Sequence, residues 1–172
     1  FTEEKEMFEC NGEVDKFAYD DCKIIKVNTS QNLMALTVEA LAVEPDNSQN
    51  KNFTKSYAGD TDIVFTDMHV VKSVKEGYRY YDADGNLVSD EPDRELTEDE
   101  LKELIKGLEG DYLYGIKGVD DPETEKKRYV IGVELPPENP EDVTEVTDSY
   151  QMLIECKNVK FSWEKYMNRI NG

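Results

Sequence analysis

Short apolar stretches alternate with polar breaks along the chain, and the longest coherent pattern runs through residues 33–43. Leu33, Ala35, Thr37, Glu39, Leu41 and Val43 fall on one parity, and Met34, Leu36, Val38, Ala40 and Ala42 on the other, so one face of an extended segment is wholly apolar. Successive strand side chains point to opposite faces, which makes this the pattern of a central strand; a helix over 33–42 is the competing assignment. Ahead of it, a charged lead-in (1–12) precedes residues 14–27, which alternate only in pieces and read as two short strands or one bent strand. The following stretch, 44–60, holds Pro45, Asp46, Asn47, Ser48, Asn50 and Asn52 and reads as a long, mobile polar loop tied down only by Phe53 and Tyr57.

Residues 62–74 are rich in β-branched and aromatic side chains, and Tyr78-Arg79-Tyr80-Tyr81 leads into Asp82-Ala83-Asp84-Gly85-Asn86-Leu87-Val88. Asp84-Gly85 between an aromatic run and Leu87-Val88 predicts a hairpin, because Gly supplies the positive φ that such turns require. A helix follows: Thr97-x-x-Glu100 is a capping box, Leu101, Leu104, Ile105 and Leu108 form an i, i+3, i+4, i+7 stripe, and Gly107 or Gly110 ends it. Residues 112–117, 127–135, 150–156 and 159–163 read as strands, with Pro136-Pro137 and Pro140 enforcing an extended loop and a short helix closing the chain over 163–170.

Many strands and one clear helix predict a single, mainly β domain over 1–172: an antiparallel β-sandwich with a helical insertion near 97–110, or in the alternative an α+β fold. The pattern resembles that of immunoglobulin-like domains of exported bacterial proteins, although no motif carries the likeness. The 172 residues suit one domain, and the start at Phe1 points to a chain trimmed of a leader or anchor, hence to an extracytoplasmic, secreted or surface-anchored location.

Charge sharpens this picture. Twenty basic against 39 acidic side chains leave a net −19, which would repel the phosphate backbone of nucleic acid and an anionic membrane surface alike. No apolar run approaches the ~20 residues that span a bilayer. Residues 82–111 hold 12 acidic and 3 basic side chains, and 134–148 hold 6 acidic and none basic, so these two segments supply −15 of the −19. The acidity therefore belongs to a hairpin-helix insertion and a Pro-rich loop, a pattern that serves solubility, a cation or a basic partner.

Candidate chemistry is sparse. Asp82, Asp84 and Asn86 place oxygen donors at alternate positions, as at the start of a calcium loop, yet Leu87 stands where such a loop needs Gly and Asp93 where it needs a bidentate Glu. A hairpin turn explains Asp84-Gly85 with fewer assumptions. Cys10, Cys22 and Cys156 fit no zinc spacing; Cys22 and Cys156, on an early and a late strand, are candidates for one disulfide in an oxidising compartment, against three reduced thiols. His69 lies beside Met68 and Val70 with no Ser or Cys signature near it and reads as a partly buried strand residue. A hydrolase built on paired carboxylates needs a cleft and one carboxyl of raised pKa, and nothing among the 39 singles out a pair. Tyr78, Tyr80, Tyr81, Tyr112 and Tyr114 offer a stacking platform, but on a strand Tyr78 and Tyr80 face away from Tyr81, and core or edge packing is the simpler role. The expectation is a non-enzymatic, exported or cell-surface binding module without a cofactor, recognising a protein or a glycan. A calcium-stabilised module and a hydrolase are the alternatives.

Overall fold

The computed structural model describes residues 7–120, 124–142 and 147–169. Residues 1–6 of the lead-in, 143–146 of the acidic loop and Ile170 therefore lie outside the described part. Strand is the dominant element, and one helix is present among the described residues. Leu33–Glu39 forms β4, not a helix, and strict alternation buries Met34, Leu36 and Val38. The apolar run ends sooner than its parity predicts. Ala40 takes a left-handed φ of 60°, which breaks the alternation, and the chain leaves one sheet for another so that Leu41, Ala42 and Val43 are all buried in succession.

Ten strands form the large sheet. These are β1 (Phe8–Asn11), β3 (Lys23–Ser30), β4, β7 (Thr61–Thr66), β8 (His69–Lys75), β11 (Arg94–Glu95), β12 (Tyr112–Val119), β13 (Lys127–Glu134), β14 (Ser149–Cys156) and β15 (Asn158–Trp163), and their spatial order is β1-β15-β7-β4-β3-β12-β13-β14-β8-β11. Every pairing is antiparallel. β3 and β12 pair only at Tyr112 and Lys23, supported by Ile24 donating to the Asp111 carbonyl, so the sheet divides there into two five-strand halves. Inward residues of one half (Met34, Leu36, Ile63, Phe65, Val159, Phe161) and of the other (Leu113, Ile116, Ile131, Val133, Met152, Ile154) belong to one continuous core. Period-2 alternation in five of these segments, with an irregularity between Leu113 and Gly115 in the sixth, thus builds one apolar interior.

A smaller sheet, ordered β16-β6-β5-β2, comprises β2 (Phe17–Ala18), β5 (Ala42–Val43), β6 (Ser56–Ala58) and β16 (Tyr166–Arg169). Two expectations are corrected here. The lead-in contributes β1, because Phe8 pairs opposite Trp163 and stacks on its ring at 5.7 Å, while Cys10 is buried opposite Phe161. The predicted terminal helix is instead β16: Val159, Phe161 and Trp163 continue a strand alternation, and Tyr166 then pairs with Ala58 and donates its hydroxyl to the Gln49 carbonyl at 2.7 Å.

Residues 44–55 are held differently from expectation as well. Phe53 is 89% exposed and ties nothing down. Buried Asn50 instead donates its amide to the carbonyls of Val43, Glu44 and Thr54, while its side-chain oxygen accepts from the Asn52 N–H. Neighbouring Asn47, also buried, donates to the Lys16 carbonyl and accepts from the Gln49 N–H. Such side chains take the place of a backbone ladder in satisfying buried main-chain groups.

Helix α1 (Glu98–Lys106) begins as its sequence predicts. The Thr97 hydroxyl accepts from the Glu100 N–H, and the Glu100 carboxylate accepts from the Thr97 N–H, a complete capping box. Leu101, Leu104 and Ile105 pack partly buried against the core, and Leu108, just past the C-terminal Gly107, is fully buried.

Candidate functional site

β9 (Tyr78–Tyr81) and β10 (Leu87–Glu91) pair only with each other, as a two-stranded hairpin continuing outward from β8 and β11. Its base is tightly built. A Cβ on Gly77 would lie 2.0 Å from the Glu91 carbonyl oxygen and 2.5 Å from the Pro92 backbone, so the returning chain crosses where only Gly fits. The Gly77 N–H also donates to the Asp93 carboxylate at 2.7 Å. Pro92 offers no donor at the same level, so the ladder breaks and the hairpin departs from the large sheet.

The turn forms where Asp84-Gly85 predicts it, with Gly85 at φ 82°. One oxygen of Asp82 accepts from the N–H groups of both Asp84 and Asn86, and the Asp82 N–H donates to the Asn86 carbonyl. Asp82, Asp84 and Asn86 are thus gathered in one loop, with Asp82 spent on closing it. No group of three or more His, Cys, Asp or Glu side chains is placed to hold a metal ion among the described residues.

Direct pairing puts Tyr78 opposite Glu91 and Tyr80 opposite Ser89 on one hairpin face, and Arg79 opposite Asp90 and Tyr81 opposite Leu87 on the other. Tyr78 and Tyr80 meet edge to face at 5.0 Å, and Arg79 lies 3.5 Å from Asp90. Of the expected core or edge packing, the core alternative does not hold for these three tyrosines, which sit on an edge hairpin: Tyr81 is 58% exposed and Tyr78 and Tyr80 more than a third, alongside exposed Leu87 and Val88. Among the described residues β9 and β10 pair with no further strand, and both faces carry exposed side chains. Tyr114 stands apart as a brace, its ring lying over Gly132 and its hydroxyl donating to Glu76 at 2.8 Å, where Gln151 also donates. Tyr112 is half-buried on β12.

The remaining sequence candidates are dispersed. His69 is a strand residue, the first of β8, but exposed rather than partly buried, and sits 3.8 Å from Glu155. Glu155 is occupied by Arg128 at 2.9 Å and Lys126 at 3.4 Å, which hold its carboxyl below the usual range. Cys10, Cys22 and Cys156 are buried free thiols. Cys22 lies beside Leu113, level with Tyr150 on β14, whereas Cys156 ends that strand, so about 20 Å of strand separates the candidate disulfide partners. A disulfide needs Cα atoms within ~7 Å. Burial raises the thiols of Cys10 and Cys22 to about 12, the opposite of activation.

A residue not singled out by sequence reasoning is Asp111. It shares the inward parity of Leu113, and its carbonyl accepts from Ile24 while its N–H donates to Leu108, so backbone bonds turn its side chain under α1. There it lines a cavity of about 450 Å³ with Leu96, Leu104, Leu135 and Tyr150. Only 4% of Asp111 is exposed, and burial alone raises its carboxyl to about 6. The signal was present, an acid just ahead of a strand and in step with its inward residues, but it was hidden within an acidic block. Asp99, Glu100 and Glu103 line the same cavity, and Glu100 is held at about 2 by its ion pair with Arg94 and by its capping role. No protein-family model matches the chain, and comparison with curated proteins and with solved structures gives no significant match.

Proposed function

We propose that this protein is a non-enzymatic, extracytoplasmic binding module that engages a basic protein surface through the β9–β10 hairpin. The observation that carries the reading is the hairpin itself: three tyrosines, Leu87 and Val88 held out from the sheet, exposed on both faces. Large apolar side chains in solvent bring no folding stability, whereas tyrosine supplies broad contact area at low entropic cost in a partner interface. Asp82, Asp84, Asp90, Glu91 and Asp93 surround them, so the complementary surface is cationic with apolar recesses. The two five-strand halves with a common core support reading the scaffold as an antiparallel sandwich, of which immunoglobulin-like domains are one kind. Net charge of −19 and a polar surface suit an exported location, which fractionation of the source cells tests.

The binding test is a photo-crosslinking amino acid placed at Tyr81, compared with one at Asn28 on the exposed end of β3. Crosslinks at Tyr81 to proteins of basic isoelectric point, abolished when Tyr78, Tyr80 and Leu87 are changed to Ser, are expected. Equal labelling from both positions, or labelling unaffected by the Ser changes, overturns the reading; capture of glycan alone replaces the partner class.

A further inference from the structure

A carboxylate buried without a counter-charge is costly, and such a group in an apolar cavity marks a place where something else is meant to pair with it. Asp111 meets both conditions. Its 4% exposure leaves it almost wholly buried, no hydrogen-bond or ion-pair partner reaches its carboxylate among the described residues, and the cavity it lines is walled by Leu96, Leu104, Leu135, Gly107 and Tyr150 together with three acids of α1. At about 450 Å³, the space is of the size that small ligands occupy. We propose that the cavity under α1 is a binding site for an ammonium or guanidinium group carried on a short apolar stem, with Asp111 as its counter-charge.

The nearby charges favour this class. From α1, Asp99, Glu100 and Glu103 also line the cavity, and none of its lining residues is basic. Three of the nearby cations already face carboxylates of their own: Arg94 grips Glu100 with both terminal nitrogens at 2.9 Å, Lys106 lies 3.8 Å from Glu103, and Lys75 lies 3.5 Å from Asp148. Asp111 is left over. Among the described residues no three carboxylates converge to hold a metal ion, whereas an organic cation buries its stem against the leucine walls and its charge against Asp111. This site is independent of the hairpin reading, since none of the hairpin residues lines it.

The test uses the whole chain, n-butylguanidinium and n-butylammonium chloride as probes, and N-butylurea as the neutral control, followed by amide chemical shifts and calorimetry. Saturable binding of the cations, with shifts centred on Leu96, Leu104, Leu135 and Tyr150, is expected. Affinity weakens as pH falls through about 6, where Asp111 takes up its proton, while Glu100, held near 2 by Arg94, stays charged. D111N lowers affinity at least about tenfold, and D99N and E103Q, which keep Asp111, lower it less. N-Butylurea binding as well as the cations, an affinity unchanged by D111N, or no saturable binding at all overturns the proposal. Should D111N fail to fold, the pH profile and the neutral control on the wild-type chain decide. A capped tripeptide with a central Arg distinguishes sources: tighter binding than butylguanidinium assigns the cation to a peptide side chain, equal or weaker binding to a free small molecule.

Discussion

Asn50 shows how much one side chain decides in this chain. Its amide satisfies three main-chain carbonyls from both ends of the 44–55 segment, a buried arrangement that no hydrophobic pattern announces. Asn50→Ala leaves those acceptors without a partner and is expected to cost about 2–3 kcal/mol, measured by urea unfolding at constant m-value. Asp111 makes the opposite case. Burial raises its carboxyl from 3.8 to about 6, so the folded state holds the proton more tightly than the unfolded chain does. Its contribution to stability is therefore fullest below the unfolded value near 3.8 and is lost as pH rises through about 6. D111N should stabilise the protein by about 1–3 kcal/mol at neutral pH and by almost nothing below about pH 4, which a pair of melting curves checks. A stability gain from removing a charge is what a site kept for binding predicts.

At the scale of the element, the hairpin and the helix were legible because their signals are local. Asp84-Gly85 encodes a turn, and Thr97 with Glu100 encodes a cap, within a few residues of chain. Where the hairpin stands was not legible, since its departure from the sheet depends on Gly77 meeting Glu91 and Pro92 across the ladder. Gly77→Ala should destabilise by about 2–3 kcal/mol, because backbone rather than a flexible side chain must give way. Serine at Tyr80, Tyr81 or Leu87 should leave the melting temperature within about 1–2 °C of wild type, as exposed positions do. A large loss there would mean that the hairpin packs on something in the chain and is not a free surface.

For the whole molecule, the charge of −19 acts as a field in addition to its individual contacts. Self-repulsion favours expansion, so added NaCl should raise the melting temperature. Once salt has screened that repulsion, millimolar Ca²⁺ should add nothing beyond Mg²⁺, because one oxygen of Asp82 is engaged by the Asp84 and Asn86 amides. A Ca²⁺-specific rise, removed by chelator, would instead make the loop a metal site.

The sequence by itself determined the mainly β character, a central strand starting at Leu33, the Asp84-Gly85 turn and the capped helix, since alternation, positive φ and capping are properties of neighbouring residues. Tertiary structure decided that Phe8 and Tyr166 belong to strands, that Asn47 and Asn50 hold a polar segment in place, that Cys22 and Cys156 lie far apart, and that Asp111 is buried without a partner among the described residues. Each of these depends on a partner distant along the chain, as Phe8 does on Trp163 or Tyr166 on Ala58. Burial and pairing are set by which strands become neighbours, and a local pattern of residues carries no record of that choice.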